Sequence, residues 1–552
     1  MADFFPAHKA TLEKALETIR SREYWSAYPE MPSGKIYGET AKDDQQAAFD
    51  GLLGKPFDLD QPSDAGRIGG ERSPFGPVLG VTYPAAKPAT LVATAKAAMK
   101  SWAKASPEAR AGVCLEILSR LNRQSFLIAN AVMHTSGQAF MMAFQAGGPH
   151  AQDRGLEAVA YAYDEMSRVP SHVRWQKPQG PKDPLVLDKT FRIVPRGVAL
   201  VIGCATFPTW NSYPGFFASL ATGNAVIAKP HPGAILPLAI TVKIAREVLK
   251  EAGFDPNTVL LAPDSAENPI TKDLVTHPDV AIIDFTGSPA FGGWVRAHGA
   301  GKLVYTEEAG VNSIVVHSTD DLRGMTGNIA FSLSLYTGQM CTAPQNIFVP
   351  RSGIETDQGH KSFDEVADAI RVAIDKLLGD PQRAAAILGA VQNDATIKRI
   401  DAARKLGKVV RDSGPVEGME GARSATPLVV AVDGKDESAY LEERFGPVSF
   451  IIATDGIEDA IARASRSARE KGAITASLYA TDEAVIEAAA DAFAEAGVSL
   501  SVNLTGGIFV NQSAAFSDYH VSGANPSGNA SLCDSAFVAN RFRVAGMRRT
   551  AA

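Results

Sequence analysis

Five short stretches of the chain carry residue types that do chemistry. "SLYTGQMCTAPQNIFV" (334–349) places Cys341 where a helical pattern ends and a strand pattern begins. A thiolate nucleophile wants partial exposure beside a helix N-terminus or a cation, whereas a structural cysteine is a small core residue. "YTEEAGVNS" (305–313) sets Glu307 and Glu308 at a strand end. One of them could serve as general base if its pKa is tuned upward; a solvated acidic turn has the same look. "DFTGSPAFGG" (284–293) runs from a strand through Gly287 and Ser288 into a helix. Such a turn offers backbone N–H groups and a helix dipole to an anion, although ordinary strand–helix turns share the pattern. It is not a GxGxxG fingerprint, which the chain lacks. "TGNAVIAKPHPG" (222–233) ends a buried strand at Lys229, where ligands of open α/β sheets bind, or where a surface lysine borders a Pro turn. "LEERFGPV" (441–448) puts Glu443 and Phe445 ahead of a Gly-Pro turn that leads into a strand.

The elements that must hold these residues follow from periodicity. Residues 1–70 read as a helical extension closing in a Pro/Gly-rich stretch. From about 88 to 170 the spacing predicts helices, with Val113, Ile117 and Leu121 on one face. From 184 short strands appear, and then β and α patterns alternate. "VALVIG", "NAVIAKP", "TVLLAP" and "AIIDFTG" read as strands, and "LPLAITVKIAREVLKEAGF" as an amphipathic helix capped at Gly253. Ser362 and Glu365 form a capping box for the next long helix. Alternating units imply an α/β fold with a parallel sheet and helices on both faces.

Composition bounds the class. The 552 residues suggest two or three domains, and 45% hydrophobic with 21% charged residues is an ordinary globular balance. Net charge is −7 without a Lys/Arg block, which argues against a nucleic-acid partner. No apolar run reaches the roughly 18 residues of a membrane span, and the N-terminus has no signal-peptide pattern. The cysteines Cys114, Cys204, Cys341 and Cys533 lie far apart with no CxxC pair. That speaks against a disulfide framework or a structural metal site and fits a reducing cytoplasm.

In chain order the five stretches resemble the aldehyde dehydrogenase superfamily: Gly-Asn, Lys-Pro, Phe-Thr-Gly-Ser-x-x-x-Gly, Glu, Gly-Gln-x-Cys and Glu-x-Phe-Gly-Pro, over roughly residues 75–530. The resemblance implies that Cys341 attacks an aldehyde and that a carboxylate then activates water. Glu308 is expected in that role because "EAGVNS" fits the family motif, with Glu307 the adjacent candidate. It implies Gly287 and Ser288 at a pyrophosphate, Lys229 at the adenosine ribose, Glu443 at the nicotinamide ribose and Phe445 beside the ring. Thr206 falls where the family has its oxyanion asparagine, with Asn211 a possible substitute; losing such a donor can cost about 10²–10³ in rate. Pro232 stands where many NAD-dependent members carry glutamate. NADP is therefore favoured over NAD, with His231 a candidate for its 2′-phosphate.

"TFPTWNSYPGFFASLATGN", "KPHPGAILPLAI" and "HVSGANPSGNASLCDSAFVANRFR" resemble the PaaN group of phenylacetate and aromatic-acid breakdown. That implies a semialdehyde substrate, which a CoA thioester could carry. The implied layout is a Rossmann-type cofactor domain (71–183 and 200–306), a catalytic domain (307–505) and an oligomerisation arm (184–199 with 506–552) that forms a homodimer or homotetramer. Two rivals remain at this stage. An enzyme that passes the acyl group to CoA usually lacks the base glutamate. A non-catalytic binding protein on the same fold would be free to lose Cys341, Glu308 and Glu443.

Overall fold

The computed structural model describes residues 2–308 and 310–551. The strands Val198–Ile202 and Ala225–Lys229 are fully buried and, but for the terminal lysine, apolar along their length. Strands that are buried on both faces belong inside a parallel sheet. They form the middle of a five-stranded, all-parallel sheet in the order Val259–Leu261, Ala225–Lys229, Val198–Ile202, Val280–Gly287, Leu303–Glu308. The chain first winds outward one way from Val198–Ile202 and then crosses to its other side. That reversal opens a crevice beyond the C-terminal strand ends.

A second sheet of seven strands has the order Lys408–Arg411, Leu428–Asp433, Val448–Thr454, Pro344–Pro350, Asn312–Val316, Thr475–Tyr479, Ser499–Val502. Only its first strand is antiparallel. The helix Phe363–Leu377 on this unit begins with the expected capping box between Ser362 and Glu365. The helix Leu236–Glu251 stops just before Gly253, whose φ of +83° suits a residue without Cβ.

The N-terminal helix Phe5–Ser21 buries Leu12, Ala15, Thr18 and Ile19. It crosses the helix Pro107–Arg123 at Gly112, where a Cβ would meet the Phe5 nitrogen at 2.5 Å. Leu12 and Ile19 each contribute about 1.5–3 kcal/mol by leaving water, so the extension is docked to the body.

The arm is a three-stranded antiparallel sheet in which Lys182–Pro195 lies between His172–Gln179 and Phe542–Thr550. Its hairpin opens at His172, inside the span expected for the cofactor unit. Sequence reading missed that strand because "HVRWQKPQ" is mostly exposed and its apolar alternation is limited to Val173 and Trp175. Just before the last arm strand, Arg541 makes a buried two-bond ion pair with Asp284, at 2.6 and 2.8 Å. Asn224 donates to the Arg541 carbonyl at 3.0 Å and accepts from Gly197 N–H at 3.0 Å. The arm is thereby tied to the five-stranded sheet. Among the described residues no helix is long and apolar enough to cross a membrane.

Candidate active site

Cys341 sits in the turn that feeds the strand Pro344–Pro350. Three successive residues ahead of it, Tyr336, Thr337 and Gly338, have φ of +51°, +53° and +59°. Non-glycine residues in that region cost of order 1–3 kcal/mol each and persist only where packing holds them. The hold is visible. Tyr336 is fully buried and its hydroxyl donates to the Ser136 carbonyl at 2.6 Å. Asn312 donates to the carbonyls of Cys341 at 2.7 Å and Ala343 at 2.9 Å, and its own oxygen accepts from Ile474 and Thr475 N–H. Thr342 donates to the Asn511 carbonyl at 2.8 Å.

The thiol so fixed is partly exposed, and it lies where two cavities meet. One of about 580 Å³ opens at the C-terminal ends of the five parallel strands; the other, of about 510 Å³, runs to the N-terminal extension. Cys341, Asn211 and Phe207 line both. Burial and then the nearby Glu307 charge push the Cys341 thiol well above its ordinary range. At rest it is a thiol and needs a base.

The structure places Glu307, not the expected Glu308, beside that thiol. Glu307 Oε2 accepts from Asn211 Nδ2 at 2.7 Å and Oε1 from His520 Nε2 at 2.9 Å. Burial alone would raise its pKa, but His520, the Cys341 thiol and Asn211 outweigh it and hold the carboxyl below its usual value. Glu308 turns the other way. It pairs with Arg296 and lies over Gly292, where no Cβ would fit. The physical reason is the period of a strand, in which adjacent side chains take opposite faces. Thr206, in the loop that follows the strand Val198–Ile202, takes no part in this contact: its hydroxyl donates to Cys204 Sγ at 3.8 Å, and the structure gives it no bond to Cys341 or Glu307. The amide in contact with the acid–thiol pair is that of Asn211.

The other expected residues gather around the larger cavity. Gly287, Ser288, Lys229, Glu443 and Phe445 all line it, with His231 and Pro232. Ser288 caps the helix Pro289–His298 through Phe291 N–H. Lys229 is buried and donates to Asp264 at 2.7 Å and to the Pro230 carbonyl at 2.6 Å. His231 accepts from Gly233 N–H at 3.0 Å, and burial, reinforced by Lys229, pushes it down to about 4. It is neutral at pH 7. Burial pushes Glu443 up to about 8 against the pull of Arg399. These features fit a dinucleotide: a strand-end crevice, a helix N-terminus behind a glycine, and a carboxyl free to meet ribose hydroxyls.

Sequence reasoning passed over His520, Arg399 and Asp264. His520 stands alone in "SDYHVSG" with no ligand spacing, and only the fold brings it within 3.9 Å of Cys341 Sγ.

A thiol set between a strand-end crevice and a second cavity, with a carboxylate against it, is the arrangement that a dehydrogenase working through a covalent thioester would need. The sequence model of the aldehyde dehydrogenase family matches residues 81–534, and the chain belongs to that family. A crystal structure of an NAD-dependent aldehyde dehydrogenase from Burkholderia multivorans is 57% identical, with a TM-score of 0.98 over 100% of this chain and 99% of that one. A betaine aldehyde dehydrogenase of Rhizobium johnstonii is 27% identical over 68% of this chain and 74% of its own length. A Thermus 1-pyrroline-5-carboxylate dehydrogenase with bound NAD shares the fold at 20% identity, with a TM-score of 0.74 over 96% of this chain and 99% of that one.

Proposed function

We propose that this enzyme oxidises an aldehyde to a carboxylic acid by way of a thioester on Cys341, with Glu307 as the base. The observation that carries the reading is the placement of Cys341 at the junction of the two cavities with Glu307 against it. Glu307 takes the thiol proton, and sulfur adds to the carbonyl carbon. The second N–H of Asn211 Nδ2 is available to the oxygen that gains charge, because only one is spent on Glu307. Gly287, Ser288, Lys229, Glu443 and Phe445 in the strand-end crevice would hold a nicotinamide cofactor, which would supply the hydride acceptor. Glu307 releases the thiol proton to solvent, then removes a proton from water as it attacks the thioester, and returns it to the departing thiolate.

NAD⁺ is the cofactor this reading favours. His231 is neutral and Lys229 is committed to Asp264, so a 2′-phosphate finds neither as a free cation. The Burkholderia multivorans relative is described as NAD-dependent. One observation supports NADP⁺ instead: Pro232, also in the crevice wall, brings no carboxylate to repel that phosphate.

The substrate class is a semialdehyde of aromatic ring cleavage, with its distal acid masked as a CoA thioester. The PaaN-like stretches support the pathway. The second cavity supports the masking: its walls include Tyr24, Trp25 and Trp210 with the acids Glu30 and Asp153, and no Lys or Arg is among the described lining residues. The histidines of that wall, His150 and His520, are already hydrogen-bonded to Glu30 at 2.8 Å and to Glu307 at 2.9 Å, so a free carboxylate would find no unpaired cation among the described lining residues. Free cysteines throughout are consistent with a cytoplasmic protein.

The test is reduced-cofactor absorbance with NAD⁺ or NADP⁺ and a panel of aldehydes, with and without free CoA. Turnover without CoA is expected, abolished in Cys341→Ser. Glu307→Gln should lose roughly 10²–10⁴-fold, and Glu308→Gln far less. Turnover only with CoA would overturn hydrolysis in favour of acyl transfer. A larger loss from Glu308→Gln would overturn the choice of base.

A further inference from the structure

We propose that His520 is a positioning residue for Glu307, holding the carboxylate ionised and aimed at the acylated Cys341, so that hydrolysis of the thioester depends on it. The inference rests on the reading of Cys341 as acyl carrier.

Glu307 is fully enclosed, and each of its oxygens has a neutral-atom donor of its own: Asn211 for Oε2, His520 for Oε1. An ionised carboxylate only accepts, so Nε2 is the protonated nitrogen of the ring. That nitrogen also lies 3.9 Å from Cys341 Sγ, and the ligand atoms of Glu307, Cys341 and His520 are all within 4.8 Å of one another. The ring itself is held. It is 2% exposed, Trp210 packs on it in a T-shaped contact with centroids 4.6 Å apart, and the His520 carbonyl accepts from Leu532 N–H at 2.8 Å. Nδ1 is buried with no partner. A histidine kept only for packing has no reason to carry that unpaired nitrogen; an apolar ring would fill the same space without it.

The backbone gives a second, independent sign. His520 is bracketed by Phe516 at φ +67° and Val521 at φ +61°. A β-branched residue in that region is an outlier, and such strain persists where the surroundings force one geometry. The segment spends conformational energy to present this side chain at this point.

The loss of a hydrogen bond to a buried charge corresponds to roughly 10- to 100-fold in a rate that depends on it. The experiment isolates deacylation from oxidation. Wild type, His520→Phe and His520→Gln are acetylated with p-nitrophenyl acetate and freed of excess reagent. The adduct is placed on Cys341 by peptide mapping, and its decay is followed by intact-protein mass spectrometry. His520→Phe keeps a ring without a donor and should slow decay roughly 10- to 100-fold. His520→Gln returns an N–H near the Nε2 position and should stay within about threefold of wild type. Thermal melting confirms that both variants fold. Decay of His520→Phe at the wild-type rate, or equal slowing in both variants, overturns the proposal. So does failure of Cys341 to accept the acetyl group. Normal decay in wild type, slowed in His520→Phe, without cofactor reduction by any aldehyde, would sink the oxidation reading and leave the positioning role intact.

Discussion

Glu443 is the site residue whose charge is most open to pH. Its carboxyl, raised to about 8 by burial, is mostly protonated at pH 7 in the free enzyme. Ribose hydroxyls donate best to the ionised form, so cofactor affinity should rise as pH passes upward through about 8. The dissociation constant of the cofactor, measured by quenching of protein fluorescence between pH 7 and 9, should fall across that window. Glu443→Gln should bind more weakly and show a flat profile; an equally steep profile in the variant would remove Glu443 from the cofactor site. The same scale shows how far the sequence could be read. Motif matching found the pair of carboxylates but favoured Glu308, the member that the structure turns away from Cys341, because a one-residue shift scarcely alters a motif but reverses the face of a strand. Parity held the answer: Thr306 and Glu308 share the Arg296 side, while Tyr305 packs on Phe537 and Glu307 meets Asn211. The thiol, the cofactor-cavity residues and the Gly-Asn and Lys-Pro elements were legible because each sits at a strand or helix end with a local pattern. Asn211 was legible only as a substitute for the oxyanion asparagine, and His520 and Arg399 were not, since their roles exist only through contacts across the chain.

At the scale of elements, the N-terminal extension is the part that periodicity described but could not place. The family match starts at residue 81, yet Tyr24, Trp25 and Ser26 form a wall of the second cavity. Ser26 Oγ and Ala27 N–H donate to Asp153, whose carboxyl burial pushes up to about 7. Trp25 stacks at an angle on Phe516, centroids 5.2 Å apart, at the start of the strained segment that carries His520. Arg22 lies over Tyr519 of the same segment at 3.8 Å. The extension therefore touches both the substrate space and the loop behind the base. Trp25→Ala should raise KM for the aldehyde about tenfold, ~1.4 kcal/mol of lost contact, and leave cofactor KM unchanged. Steady-state kinetics with each substrate varied in turn checks it. An unchanged aldehyde KM would assign the extension to stability alone.

For the whole molecule, the arm is the feature that a single chain leaves unexplained. Three antiparallel strands project with most side chains exposed on both faces, the last of them open along its whole length after Phe542. A sheet of this size needs an apolar face covered by something to be stable. This one leaves apolar side chains exposed on both faces: Leu185 48% and Val544 45% on one, Val194 41% and Met547 45% on the other. Its outer strands, His172–Gln179 and Phe542–Thr550, also present unpaired edges, which natural proteins seldom leave open. The anchoring at Arg541 fixes the arm's base to the five-stranded sheet while its far end has no partner among the described residues. A second copy would supply the missing surface by symmetry. Light scattering on the eluting protein should therefore report a dimer or tetramer. The double variant Val544→Asp, Met547→Asp should shift it toward monomer, with cofactor binding retained because the strand-end crevice lies elsewhere. A monomeric wild type, or an assembly indifferent to both charges, would leave the arm's exposed apolar side chains to another partner.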